Sequence, residues 1–387
     1  MLSKRIDSLS TSMTIAITTK ALELKAKGEN IISFSAGEPD FDTPKLIKEA
    51  AIKALDEGKT KYTAVAGIPE LREEIAKKLK RDNDLDYSPS DIIVSNGAKQ
   101  SLFNLFQAIL DKGDEVIIPA PYWVTYPELV EYCGAKSIII DTDESSNFKI
   151  TPKQLKDAIS DKTKLLILTS PSNPTGSLYT KEELEQIGEV LKNTDILIAS
   201  DEMYEKLVYD KSFCATASIS KDMFDRTITI NGLSKSVAMT GWRIGYLAST
   251  NKDLISSMIK LQSQSTSNIN TITQYASIVA LNGSVDEDIE KMRAQFQERR
   301  DLAVDLFNQS DILSTLKPDG AFYLFVNIKK VSNDSLQFCK DLLEEKKVAV
   351  VPGIGFGSEG YFRFSFATSK ENIKEGIARI VDFCKNY

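Results

Sequence analysis

Lys164-Leu165-Leu166-Ile167-Leu168-Thr169 runs directly into Ser170-Pro171-Ser172-Asn173-Pro174-Thr175-Gly176, and then into Thr180 to Lys192 and Asp195 to Ser200. The first run has the length and apolar content of a buried strand, and its Pro-rich successor reads as a loop. Thr180 and Glu183 carry the spacing of a capping box at the start of a helix. Asp195 to Ser200 is again strand-like, so the stretch reads strand, loop, helix, strand. That order predicts a mainly parallel sheet covered by helices.

The same grammar extends outward. Asp91 to Ser95, Glu115 to Ile118 and Thr227 to Ile230 read as strands, and Ala98 to Leu110 as a buried helix. A helix opens after Thr43 with Pro44 at its first position, keeps apolar spacing through Leu46, Ile47, Ala50, Ala51, Ala54 and Leu55, and ends at Gly58. Val285 to Asn308 keeps a long helical pattern, after which alternating strands follow at Ala321 to Ile328 and Tyr361 to Ala367, with a helical end. We expect a large α/β domain over 44–290 and a smaller α+β domain made of 1–43 plus 291–387. At 387 residues the chain has room for about two to three domains.

Composition excludes several functions. Lys plus Arg total 48 against 55 Asp plus Glu, a net charge of −7, which disfavours non-specific nucleic-acid binding. No apolar run approaches the ~18 residues of a membrane span, and the N-terminal Met1-Leu2-Ser3-Lys4-Arg5 lacks the apolar core of a signal peptide. The expectation is a cytoplasmic, enzyme-sized protein. Histidine is absent, which removes Ser-His-Asp and Cys-His catalysis, HExxH zinc chemistry and the two-His iron site. Cys133, Cys214, Cys339 and Cys384 are far apart with no CxxC pair, so neither a metal site nor a disulfide framework is expected. Proton transfer must rest on Lys, Tyr, Asp, Glu, Cys or a cofactor.

Polar residues cluster immediately after the predicted strands. They are Asn96-Gly97-Ala98-Lys99, Pro121-Tyr122-Trp123, the 170–176 loop, Asp201, and Gly232-Leu233-Ser234-Lys235. Open parallel sheets bind ligands outside the carboxyl ends of their strands. Together these ends would offer helix N-terminal amides suited to an anion, an aromatic face, an amide, a carboxylate and an amine. Gly353, Gly355 and Gly357 lack dinucleotide-binding spacing and read as a loop.

The stretch Gly232 to Gly245, Gly-Leu-Ser-Lys-Ser-Val-Ala-Met-Thr-Gly-Trp-Arg-Ile-Gly, resembles the lysine motif of class-I pyridoxal-phosphate aminotransferases. Ala36 to Phe41, Tyr62, Asn173 to Gly176, Asp201-Glu202 with Tyr204, and Arg363 also follow that family's order. The resemblance spans nearly the whole chain and is nearest to the bacterial aspartate aminotransferase branch. It implies the fold-type-I architecture of pyridoxal-phosphate-dependent transferases, pyridoxal 5'-phosphate as cofactor, and ping-pong transfer of the amino group of L-aspartate to 2-oxoglutarate.

The resemblance assigns roles residue by residue. Lys235 would form the Schiff base with the cofactor and move the Cα proton. Asp201 would keep the pyridine nitrogen protonated, Tyr204 and Asn173 would bind the phenolic oxygen, and Trp123 would stack on the ring. Gly97, Ala98, Lys99 and Arg243 would hold the phosphate, joined by Tyr62 from the neighbouring subunit of a homodimer. Arg363, a bidentate donor, and Gly37 would bind the substrate α-carboxylate, with Trp123 and Asn173 beside it. Alternating Phe362, Phe364 and Phe366 would face the core and turn Arg363 to the cleft. Lys99, Ser12 and Thr14 are expected at the distal carboxylate. Many relatives carry Ser or Thr where this chain has Gly232, which removes one phosphate contact.

Rival readings are another amino-group substrate (alanine, an aromatic amino acid or prephenate/arogenate), a C–S lyase on the same cofactor, and a regulator with an aminotransferase-like domain. Prephenate-using relatives often carry Lys at the position of Ser10, which counts against that substrate. A regulator needs a basic DNA-binding domain, for which ~43 residues before the large domain leave no room.

Overall fold

The computed structural model describes residues 3–7, 9–10 and 13–387, without the side chains of residues 4 and 13–15. Its centre is a seven-stranded sheet in the order Ile92–Ser95, Gly245–Ala248, Thr227–Gly232, Leu197–Asp201, Thr163–Thr169, Glu115–Ala120, Lys136–Asp141. Every neighbouring pair is parallel except those made by Gly245–Ala248, which runs antiparallel to both its neighbours. The predicted strands lie where the sequence puts them to within a few residues. Lys136–Asp141 and Gly245–Ala248 are additions to that reading.

Local signals set the helix ends. Thr180 accepts from the Glu183 amide while the Glu183 carboxylate accepts from the Thr180 amide, closing the box that starts Lys181–Leu191. Replacing such a cap by Ala costs about 1 kcal/mol. Pro44 is the residue before the helix Lys45–Asp56 rather than its first residue, and Gly58 beyond it is left-handed at φ 71°.

A second, four-stranded sheet is antiparallel, in the order Val351–Pro352, Tyr361–Ser365, Tyr323–Asn327, Ser314–Thr315. The helices Asp286–Asn308, Ser335–Lys346 and Lys370–Asn386 pack with it around Phe296, Phe307, Phe322, Phe338, Phe362 and Phe364, all inaccessible to solvent. Truncating one such Phe to Ala typically costs about 3–5 kcal/mol. Ile32–Ser33 pairs in parallel with Val348–Ala349, which ties the N-terminal part of the chain to its C-terminal part. No helix among the described residues is long and apolar enough to cross a membrane.

Candidate active site

The carboxyl ends of the parallel strands open into one cavity of about 460 Å³. Gly37, Ala98, Lys99, Trp123, Asn173, Asp201, Tyr204, Lys235, Arg243 and Arg363 all line it. Ten residues spread over more than 320 positions of sequence are thus brought to one place. Gly97 lies just behind this wall at φ 80°, and a Cβ there would come within 2.6 Å of Arg243 Nη2, so glycine lets the guanidinium sit against the turn. The helix Ala98–Ile109 starts from that turn, presenting its N-terminal amides beside Arg243.

Besides Gly97, the described sequence-derived residue that does not line its own chain's cavity is Tyr62, which is 91% exposed. Ser12 lies outside the described residues, as does the side chain of Thr14. The helix Met13–Ala26 that follows nevertheless brings Thr18 and Thr19 to the cavity.

Lys235 follows the strand Thr227–Gly232 and donates from Nζ to the carbonyl of Gly37. Burial pushes its ammonium down to about 8; Glu38 opposes the shift, and the Arg363 and Arg243 charges add to it. A fraction of the amine is therefore unprotonated near neutral pH, the form that attacks a carbonyl.

Asp201 ends the strand Leu197–Asp201 rather than following it and is 6% exposed. Its carboxylate accepts from the Tyr126 hydroxyl at 2.7 Å and the Met203 amide at 3.2 Å. Burial raises its proton affinity, while those two bonds and the Lys235 charge oppose the rise. Among the described residues it has no salt-bridge partner. A buried carboxylate in that state is suited to a cationic N–H donor supplied from the cavity.

Arg363 behaves as the alternation of its strand predicts. Phe362, Phe364 and Phe366 are fully buried in the aromatic core, and Arg363 is turned to the cavity. Its Nη1 donates to the Asn173 side-chain oxygen at 3.0 Å and its Nη2 to the Ser35 carbonyl at 2.8 Å. Its Nε is buried without a partner. A fixed guanidinium with an unused donor is a prepared carboxylate site.

Lys99 lines the cavity, with its ammonium 4.9 Å from the centre of the Trp123 ring. Burial, and secondarily the Arg243 charge, lowers its proton affinity. Gly232 has its own structural reason: a Cβ there would meet the Ile244 carbonyl and Met203 Cε, each at 2.9 Å. The missing hydroxyl matches a strand junction with no space for a side chain.

Tyr126 and Tyr323 are cavity residues that the sequence reading missed. Tyr126 sits in the helix Thr125–Tyr132 and also lies 2.8 Å from Thr169 Oγ1. The Tyr323 hydroxyl is 2.9 Å from that of Tyr204. A lone Tyr carries no local signal of such a role, although Tyr323 heads a strand predicted from its alternation.

Comparison with known proteins agrees with this geometry. Residues 29–380 match the family described as aminotransferase class I and II. The chain is 50% identical to the aspartate aminotransferase of Bacillus subtilis (strain 168), covering 100% of this chain and 99% of that one. It is 48% identical to the probable aspartate/prephenate aminotransferase of Rickettsia felis, over 99% and 96% of the two chains. Among solved structures, the aspartate aminotransferase of Rhizobium meliloti superposes with a TM-score of 0.96 at 42% identity over 100% and 99% of the chains. The Thermus thermophilus enzyme with maleate gives 0.95 at 42% identity over 99% of each chain. With a cavity that gathers the lysine, aspartate and arginine of the motif, and with full-length likeness of this order, the chain belongs to the class I and II aminotransferase family, with the fold-type-I architecture and the aminotransferase activity of its bacterial aspartate aminotransferase branch.

Proposed function

We propose that the chain transfers the amino group of L-aspartate to 2-oxoglutarate by a ping-pong reaction, with pyridoxal 5'-phosphate as its cofactor. The observation that carries this reading is one cavity holding an amine lowered to about 8, a buried carboxylate with no salt-bridge partner among the described residues, and a carboxylate-ready guanidinium. The residues fit the cofactor. Lys235 would anchor its aldehyde, Asp201 its ring nitrogen, and Tyr204 and Asn173 its phenolic oxygen. Trp123 would cover its ring, and Gly97, Ala98, Lys99 and Arg243 would take its phosphate. When bound, pyridoxal phosphate supplies an electron sink for the charge left at the substrate Cα.

The protein's part is binding and proton movement. Arg363 receives the α-carboxylate with Gly37 and so presents the Cα–H bond to Lys235. Lys235 Nζ takes the proton from Cα and returns it, which its proximity to neutrality allows. The ionised Asp201, held by Tyr126, keeps a proton on the group it faces. Lys99, Ser12 and Thr14 are assigned to the distal carboxylate.

We also assign the domain division at 44 and 290, which the separate seven- and four-stranded sheets support. We assign a homodimer as the working form, in which Tyr62 reaches the neighbouring subunit's phosphate. The exposure of Tyr62, with Leu46, Ile52 and Leu55 on the helix Lys45–Asp56, supports that assignment.

The absorbance spectrum of the purified protein with pyridoxal phosphate, before and after L-aspartate, tests the reading. Conversion of a yellow band to that of the aminated cofactor, with oxaloacetate formed, is the expected result. A spectrum unmoved by aspartate overturns it. Prephenate is the second acceptor to assay, because the Rickettsia felis relative is named for both substrates. Ser10 stands where relatives using prephenate often carry Lys, which favours the aspartate reading.

A further inference from the structure

Tyr323 is fully buried and still lines the cavity. It opens the strand Tyr323–Asn327, whose residue Phe325 stands opposite Arg363 in the antiparallel ladder. Tyr323 is two residues from Phe325 and shares its face, so it is the diagonal cross-strand neighbour of Arg363. Two contacts leave it in different directions. Its ring centre lies 4.4 Å from the Arg363 guanidinium carbon, and its hydroxyl meets the Tyr204 hydroxyl at 2.9 Å. The Gly37 turn closes over the same hydroxyl, because a Cβ on Gly37 would stand 3.1 Å from it.

Each contact fixes a group that the proposed reaction uses. A guanidinium resting on an aromatic face keeps its plane while its edge remains free to donate. In Arg363 that edge has bonds to Asn173 and Ser35 and one donor unspent. A phenol has one proton and two acceptor positions. When Tyr323 donates to Tyr204, the Tyr204 proton is left to point into the cavity and is the stronger donor for being polarised.

We propose that Tyr323 is a positioning residue joining the two halves of the site: its ring seats Arg363 for the substrate carboxylate, and its hydroxyl aims that of Tyr204 at the cofactor's phenolic oxygen. The proposal deepens the functional reading above and rests on it. Two variants separate the halves. Tyr323→Phe keeps the ring and removes the hydroxyl, whereas Tyr323→Leu removes both. The full-length protein loaded with pyridoxal phosphate is measured in two ways: the pH midpoint of the bound cofactor's absorbance change, and inhibition by maleate as a dicarboxylate probe.

In Tyr323→Phe the midpoint should rise by about half a pH unit to one unit, the size of one lost hydrogen bond, while maleate inhibition stays within about twofold of wild type. In Tyr323→Leu maleate should weaken by about five- to thirty-fold, the range of a desolvated cation–aromatic contact. An unmoved midpoint in the Phe variant, or unweakened maleate in the Leu variant, overturns the proposal while a yellow wild-type protein keeps the cofactor reading intact. A wild-type protein that develops no yellow band overturns the cofactor reading, and this proposal with it.

Discussion

The hydroxyl of Tyr126 donates to Oδ2 of Asp201 at 2.7 Å, and both residues are buried. The phenol is held well above its ordinary range by burial and by the Asp201 charge, so it stays a donor at any working pH. Its bond favours the ionised carboxylate against the burial that would protonate it. Ionisation is what the proposed role of Asp201, holding a proton on a ring nitrogen, requires.

Asp201→Asn keeps the shape and removes that charge. Transamination should fall by orders of magnitude with the unfolding temperature little changed, as read by steady-state kinetics and calorimetry. A loss under about tenfold, or ~1.4 kcal/mol of barrier, would assign Asp201 to another task.

Lys235→Ala should lose transamination and any borohydride-reducible link to pyridoxal phosphate. The Nζ of Lys235 is both the proposed anchor and the base, and its bond to the Gly37 carbonyl holds it at the cavity. Mass spectrometry after reduction checks the link. Normal turnover by this variant would remove Lys235 from the mechanism.

Much of this site was legible from the order of residues, for physical reasons that differ by element. Strand alternation in 361–366 was enough to turn Arg363 from the core, because the side-chain period of a strand is fixed. The positions after each strand were recognisable because parallel strands bring their carboxyl ends to one side. Gly245–Ala248 was not legible. Its four residues are all buried and show no alternation, and its place in the sheet depends on partners that include Ser95, far back along the chain. Tyr126 was hidden for a similar reason, since its partner Asp201 is 75 positions away. Pro69–Asn83 did carry a signal, a first-turn proline ahead of Leu71, Ile75 and Leu79, all of which are buried.

Glu202, beside Asp201, gives a stability test. It is inaccessible to solvent and accepts from Ser200 Oγ at 2.9 Å and the Thr216 amide at 3.1 Å, with Oε2 unpartnered. Burial first, then the Glu205 charge, pushes it up to about 8. From the ordinary value near 4.5 up to about 8, the folded chain holds a proton that the unfolded chain has released, so stability falls as pH rises. Glu202→Gln cannot titrate and should escape that fall. Its urea midpoint relative to wild type should improve between pH 5 and 8.5, by about 1 kcal/mol or more in free energy. Lys235 contributes the opposite slope between about 8 and 10.5, equally in both chains. Parallel pH profiles would mean that Glu202 is ionised in the fold.

The proposed selectivity for a second carboxylate rests on Lys99. Its ammonium lies 4.9 Å from the centre of the Trp123 ring, at the cavity, and has no salt bridge among the described residues. It stands near Arg243, and the like charge, after burial, weakens its hold on its proton, a situation that an incoming carboxylate relieves. A lysine is a mobile point charge without the fork of arginine, so neutral donors should be excluded only loosely. Lys99→Ala should raise KM for aspartate and glutamate strongly and leave alanine and phenylalanine much less affected. One lost charge-assisted contact corresponds to about 1.5–3 kcal/mol, or roughly ten- to a hundred-fold in kcat/KM for the acidic donors. The neutral donors serve as the internal control, because a Lys99 that acts only at the phosphate would slow all four alike. Equal losses across acidic and neutral donors would therefore remove Lys99 from distal-carboxylate recognition.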